Sequence, residues 1–287
     1  MELKDAGRRT WRRCASAALW DAAMLGIGFV FVLPFFYMLS TAFKTPEQCI
    51  AYPPQFIPAP FTLRCFQTAF NQFPFLRYTL NSVLVTALCV LGTLLSCSFV
   101  AFGFARVKGA LRGLWFTMLL STMMIPGFVT LLPLFTIYVK LRWINTYLPL
   151  IVPSFLAMNA FSIFLLRQFF MSFPLELDEA ASIDGCSYFG ILYKILLPNA
   201  KTALFVVAIF ALVSAWNDFF GPMIYLNDNS KYTLAVGLIL FKSNYGATLD
   251  LGPMMAVALV SILPVLFLYI AAQKYFVQGI VTTGLKG

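Results

Sequence analysis

Apolar residues in this chain run in long unbroken blocks instead of alternating with polar ones. Six blocks, at about 20–43, 78–104, 114–138, 147–167, 202–225 and 252–274, carry almost no charge. A helix needs about 20 apolar residues to cross a bilayer, because no water is there to satisfy an irregular backbone. The pattern therefore predicts an all-α membrane protein with six transmembrane helices. Trp20, Trp115, Trp143, Tyr147, Tyr225 and Tyr275 lie near block ends, where amphipathic rings anchor at the interface. The first block exceeds the roughly 7–15 apolar residues of a signal peptide and reads as a retained span. Residues 1–14 form an N-terminal segment, and 15–287 a single transmembrane domain.

Composition agrees. The 287 residues are 61% hydrophobic and 11% charged, with a mean hydropathy of +0.85. The net charge of +9 does not imply nucleic acid, because the basic residues flank the apolar blocks. With the N-terminus inside, thirteen of the 20 Lys and Arg residues fall on the cytoplasmic side, among them Arg8, Arg9, Arg106, Arg167 and Lys194. The positive-inside bias thus predicts N-in and C-in. There is no histidine, and the six cysteines lack metal-site spacing, so no metal is expected. Cys49 and Cys65 share one external segment, and spacing alone does not fix whether they pair. No G-x-x-x-x-G-K-[ST] loop occurs, so any ATP that drives this protein binds to another chain.

Prolines punctuate the blocks. Pro126 and Pro133 in the third, Pro149 and Pro153 at the start of the fourth, and Pro264 in the sixth predict kinks or breaks. In the second block Gly92 and Ser96, then Ala101 and Ala105, have the spacing that lets helices approach closely. External residues 44–77 contain an extended Tyr52-Pro-Pro run, followed by Leu63, Phe66, Phe70 and Phe73 at helical spacing. These last predict a short helix on the outer surface. Asp218, near the external end of the fifth block, is a candidate functional acid. Its nearness to the interface also suits a structural hydrogen-bonding role. Residues 227–250 form a last external loop. Its Lys242, Ser243, Asn244, Tyr245 and Gly246 offer polar and aromatic groups to a sugar or a partner protein.

The loop 172–200 departs most from its surroundings. Four of the chain's 11 acids fall there: Glu176, Asp178, Glu179 and Asp184. The segment predicts two short helices, the first capped by Ser172 and ended by Asp184-Gly185, the second capped by Ser187. Leu177, Ala180 and Ala181 share one face of the first helix. Glu176 and Glu179 repel each other mildly on another face, which favours a cationic partner; Lys194 is the nearest cation in sequence. The same acids also complement the dipole of a helix start.

Glu179-Ala180-Ala181, then Gly185, then Ile195-x-Leu197-Pro198 has the spacing of the EAA loop, and the segment resembles that loop in the permease subunits of bacterial ABC importers. From about Arg77 onward the chain is similar to carbohydrate-uptake permeases of the maltose-permease type. The blocks Leu76–Ser82, Leu166–Phe170, Ser214–Phe219, Lys231–Gly237, Tyr275–Ile280 and Leu285–Gly287 carry the likeness, and Lys44–Glu47 and Tyr52–Pro54 also fit. The resemblance implies a type I importer permease fold in a bacterial or archaeal cytoplasmic (inner) membrane. It implies a homologous second permease, two ATP-binding subunits that bind the ATP and magnesium, and an extracellular solute-binding protein. The chain itself needs no cofactor, is no enzyme and binds no nucleic acid. The EAA loop would sit in a cleft of the ATPase, with Glu179 facing a basic residue there. The tail from about Gly279 to Gly287 would approach the ATPase interface, and Lys242–Gly246 would help release solute from its binding protein. In the maltose system the partner permease holds most sugar contacts, which implies few for this chain.

Rival readings make different demands. An ATP-independent secondary transporter wants charges near the midplane and internal repeats, and neither is evident. A membrane scaffold does not need the Gly-x9-Ile-x-Leu-Pro spacing. Glycerol phosphate esters, polyols or peptides are alternative solutes to an oligosaccharide; an anionic one asks for basic residues in the path, and none lies deep in a span.

Overall fold

The computed structural model describes residues 2–245 and 251–284, and these contain helices but no strand. In chain order the helices are α1 (Glu2–Ala42), α2 (Pro46–Cys49), α3 (Arg64–Gln72), α4 (Phe75–Arg106), α5 (Arg112–Ser121), α6 (Gly127–Lys140), α7 (Leu148–Phe155), α8 (Ala160–Met171), α9 (Glu176–Ile183), α10 (Tyr188–Ile191), α11 (Leu197–Asn199), α12 (Lys201–Trp216), α13 (Phe220–Tyr225), α14 (Leu234–Tyr245) and α15 (Gly252–Gly284). Among the described residues, three stretches are long and apolar enough to cross a membrane: Leu19–Ala42, Phe75–Arg106 and Leu148–Met171. Two more qualify if each bent pair is one span: Arg112–Met124 with Gly127–Lys140, bent by 100°, and Tyr188–Asn199 with Lys201–Trp216, bent by 82°.

The expected proline effects are unequal. At Pro126 the chain breaks outright: Ile125 is extended at φ −80° and ψ 119°, as a residue before proline prefers, and Pro126 then starts α6. α6 runs on through Pro133, α7 through Pro153 and α15 through Pro264.

The chain divides into two compact units. One comprises Met1–Phe73 and Phe241–Val260. In it Phe43 stacks on Phe61 at 4.4 Å, and the buried Lys44 lies over the Tyr37 ring at 4.5 Å while its ammonium donates to the Thr41 hydroxyl at 3.2 Å. Cys65 donates its thiol to the Lys44 carbonyl at 3.2 Å. The outer helix expected after the proline run is α3, but of the expected stripe only Phe73 is buried and Phe66 partly so. Cys65, Ala69 and Phe73 are buried, while Leu63 and Phe70 are exposed.

The other unit comprises Pro74–Leu240 and Ser261–Gly287. Its axis is α4, which packs against α7, α8 and α12. Small residues permit this. A methyl placed on Gly92 would lie 2.6 Å from the Phe155 ring, so only glycine lets α7 pass there. The Ser96 hydroxyl donates to the Ser154 carbonyl at 2.7 Å, and the Cys89 thiol to the Leu150 carbonyl at 3.2 Å. α7 ends at Phe155, so the Ser154 carbonyl has lost its helical partner, and α4 supplies one in its place. The expected fourth span is thus two helices, interrupted at 156–159 and restarted by Asn159, whose side chain caps α8 at the Ser162 amide. The expected fifth span is likewise interrupted at 217–219, between α12 and α13.

A polar clasp closes one end of this unit. Asn81 donates to the carbonyls of Ser230 and Tyr232 at 3.0 and 2.9 Å, and the Leu234 amide donates to the Ser82 hydroxyl at 2.8 Å. Asn145, at φ +61°, accepts on its side chain from the amides of Asn227 and Asp228, and its carbonyl accepts from the Lys231 ammonium at 2.8 Å. The sequence blocks ending at Asn81-Ser82 and beginning at Lys231 therefore meet in space. Residues 234–245, expected as loop, are helix.

Candidate functional site

The loop 172–200 is built onto the core of the second unit. Ser172 does not cap α9 as expected. It ends α8 and turns its hydroxyl back to the Phe169 carbonyl at 2.7 Å, and α9 begins at Glu176 with no side-chain cap. The acids Glu176, Asp178 and Glu179 occupy its first turn, where the dipole favours them. Its end follows the sequence closely. Gly185 takes φ +81°, its amide bonds the Ser182 carbonyl, and the Cys186 amide bonds the Ala181 carbonyl at 2.9 Å. This is a Schellman closure, which satisfies carbonyls that the helix end would otherwise orphan. Ser187 then caps α10, accepting from the Gly190 amide at 3.2 Å.

Ile195, Leu197 and Pro198 shape the exit. Pro198 has no amide hydrogen and its ring would crowd the carbonyl four residues back. The chain widens into a π-helical turn over Leu192–Leu196, in which the Leu197 amide reaches the Leu192 carbonyl. The direction then changes by 82° into α12. Ile195 and Leu197, both partly buried, pack against the core on either side of this turn.

The two faces of the loop differ sharply. Inward, Ala181, Ile191, Leu192, Leu196 and Ala200 are buried against Cys97, Ala101 and Phe102 of α4 and Ile163, Leu166 and Phe170 of α8. Outward, Glu176, Leu177, Glu179, Ala180, Ile183, Asp184 and Gly185 are exposed, with Ile183 at 86%. The expected shared face of Leu177, Ala180 and Ala181 is therefore split: Ala181 packs on its own chain, and the other two look out. Lys194 is exposed and makes no ion pair with Glu176 or Glu179 among the described residues.

Asp178 has a role that the acid count did not reveal. Its Oδ2 lies 3.1 Å from Nε of Arg106, the last residue of α4, and both side chains are nearly buried. Arg106 also donates from Nη2 to the Phe173 carbonyl at 2.9 Å. One guanidinium thus holds both the approach to α9 and its first turn. Burial pushes the Asp178 carboxyl above its ordinary value of 3.8, and Arg106 pulls it back only in part. Arg167 supports the same region, donating from Nε to the Phe104 carbonyl at 3.2 Å with its guanidinium 4.0 Å from the centre of the Phe116 ring. A basic residue ending the second block, with an acid at the second position after Glu176, was the available signal.

Asp218 sits apart, on a cavity of about 250 Å³ between α4, α7 and α12. Its Oδ1 accepts from the Gly221 amide at 3.1 Å, so the structural bonding role expected for it is present. Lys242, Ser243, Asn244 and Tyr245 lie in the last turns of α14, with Lys242 exposed. Gly246 and residues 285–287 of the expected tail lie outside the described residues.

The solved structure of a bacterial ABC transporter involved in import of the acidic polysaccharide alginate contains a chain of the same fold. The match has a TM-score of 0.79 and 24% identity, and covers 90% of this chain and 96% of the other. That likeness establishes the all-helical fold. The family model described as "Binding-protein-dependent transport system inner membrane component" matches residues 92–282, and the chain belongs to that family. It is a membrane transport component and not an enzyme. The arabinooligosaccharides transport system permease protein AraQ of Halalkalibacterium halodurans is 32% identical over 264 residues, 91% of this chain and 93% of that protein. The polygalacturonan/rhamnogalacturonan transport system permease protein YtcP of Bacillus subtilis is 30% identical over 286 residues, 94% of this chain and 99% of that protein.

Proposed function

We propose that this chain is half of the translocation path of a binding-protein-dependent carbohydrate importer, and that separate ATP-binding subunits drive it through the outward face of 176–199. One observation carries this reading. Nearly every motif residue of the loop has a task within the chain: Ala181 packs, Gly185 closes the helix, Ile195, Leu197 and Pro198 make the turn. Glu179 and Ala180 have none; they are exposed on an anchored helix, and Glu179 has no bonded partner among the described residues. A carboxylate beside small and apolar exposed residues fits a cleft that offers one cation.

The family's description as an inner membrane component supports a multi-pass protein of a bacterial or archaeal cytoplasmic membrane. Three candidate spans, two bent pairs and the apolar helix Gly252–Phe267 are compatible with six crossings. The basic-residue bias supports N-in and C-in, which puts Glu179 on the side of ATP. The family implies a second permease, two ATPase subunits and an external solute-binding protein. The names of the relatives, which concern arabinooligosaccharides and polygalacturonan/rhamnogalacturonan, support a carbohydrate solute.

The test is to purify the tagged chain from native membranes in mild detergent and identify what accompanies it. A P-loop ATPase and a second permease are expected. A chain that arrives alone and moves solute into liposomes without ATP contradicts the proposal.

A further inference from the structure

The cavity beside Asp218 has chemistry that neither the coupling surface nor the polar clasp uses. It opens where two helices are interrupted, at 156–159 and 217–219, and helix interruptions at membrane depth are tolerated where they are buried in protein or line a cavity. Its polar lining is mixed. Asp218 contributes a carboxylate, Asn159 an amide, and Thr93 and Ser214 hydroxyls. Thr93 is only 4% exposed and lies on the wall of this space. Asn159 uses its Oδ1 to cap α8, which leaves its Nδ2 amide hydrogens for another acceptor. Leu150 and Pro222 supply apolar wall, and among the described residues no lysine or arginine lines the space.

Asp218 is held in place from behind. The Gly221 amide bonds its Oδ1, and a methyl on Gly221 would come within 2.5 Å of its Oδ2 and 3.1 Å of a Leu150 methyl. Glycine at 221 therefore makes room for the carboxylate. The backbone amides of Gly221 and Phe220 use two of about four acceptor positions on the group, so others remain for a ligand.

We propose that this cavity is a subsite for a single ring of a neutral carbohydrate, in which Asp218 accepts from ring hydroxyls and disfavours sugars that carry a carboxylate. Hydroxyl groups are both donors and acceptors, and match a lining of carboxylate, amide and hydroxyls. The apolar wall suits the C–H face of a ring, and about 250 Å³ suits one ring and not a chain. A uronic acid would bring a second negative charge to Asp218 with no cation to offset it, which is unfavourable in a low-dielectric site. The inference rests on the importer reading and narrows its solute.

The test uses the assembled transporter with its partner subunits and a Ser214→Cys reporter at the mouth. One measures how fast a small methanethiosulfonate reagent modifies that position, by peptide mass spectrometry, with and without sugar. The probes are a pool of neutral trisaccharides (maltotriose, arabinotriose, xylotriose) and trigalacturonate. The neutral pool is expected to slow modification at least fivefold and trigalacturonate less than twofold. In an Asp218→Asn background, which keeps the Gly221 cap bond, protection by the neutral pool should fall at least threefold and the bias against trigalacturonate should shrink. Equal protection by both probes, or neutral protection untouched by Asp218→Asn, overturns the proposal. So does an absence of protection in a preparation whose ATP hydrolysis still responds to a neutral sugar through its binding protein. Failure of the importer reading looks different, because no ATPase then co-purifies at all.

Discussion

The loop 172–200 and the polar clasp lie in one unit of the chain and treat their polar groups in opposite ways. In the clasp, Asn81, Ser82, Asn145, Asp228 and Lys231 are all bonded within the chain. In the loop 176–199, Asp178 and Ser187 are bonded inward, while Glu176 and Glu179 have no such bond among the described residues. Both segments are anchored, so the leftover groups do not mark a poorly built region. Polar side chains that a well-fixed segment does not use are the ones available to a partner.

Breaking the anchor should have the largest effect. Arg106→Ala leaves the nearly buried Asp178 without its cation, and loss of one member of such a pair costs about 3–5 kcal/mol. The expected result is faster hydrogen exchange across 176–183 and loss of coupling, measured by exchange mass spectrometry and by solute-stimulated ATP hydrolysis. Asp178→Asn, which removes the charge but keeps the shape, should cost less. Gly92→Ala is next: its methyl meets the Phe155 ring at 2.6 Å, and overpacking of this kind costs about 1–3 kcal/mol in thermal or denaturant unfolding.

Asn145→Ala should sharpen the contrast from the other side. It removes two acceptor bonds and puts alanine at φ +61°, for a loss of about 1–2 kcal/mol. Stability should fall while ATP hydrolysis per folded transporter is unchanged. The smallest effect is on pH. Burial raises the Asp178 carboxyl, so the folded chain takes up that proton more readily than the unfolded one, and docking of α9 should tighten as pH falls toward 3.8. The Ser230 amide holds the Asp228 carboxyl below its ordinary 3.8, so the clasp loses stability as pH falls through that lower value. Exchange rates of 176–183 and 227–233, corrected for intrinsic pH dependence, should therefore move in opposite directions.

Much of this was legible in the sequence, for identifiable reasons. Apolar blocks report spans because a bilayer penalises any other backbone arrangement, and Gly185 and Ser187 report helix ends because few residues do those tasks. Ser172 misled because a serine two residues before a proline fits a cap and a helix end equally well. The split of Ala180 from Ala181 was not readable, since neighbouring residues on a helix differ by about 100° and only tertiary packing decides which turns inward. Long-range pairings such as Arg106 with Asp178, or Asn81 with Ser230, join residues 72 and 149 positions apart and leave no local signature. The cavity had a faint one: Thr79, Thr86 and Thr93 recur every seventh residue of α4, as do Ser82, Cys89 and Ser96, marking a polar seam toward the neighbouring helices.

The most direct test of the central claim is Glu179→Ala in the assembled transporter, read by solute-stimulated ATP hydrolysis and by thermal unfolding of the permease. Removing one partner of a docked charge pair costs about 2–5 kcal/mol at the interface, a weakening of roughly 30-fold or more. Stimulated hydrolysis should collapse while the unfolding temperature of the isolated permease stays within about a degree, since Glu179 makes no bond among the described residues. Full stimulated activity in the variant, or an equal loss of permease stability, would contradict the assignment of this face to the ATPase.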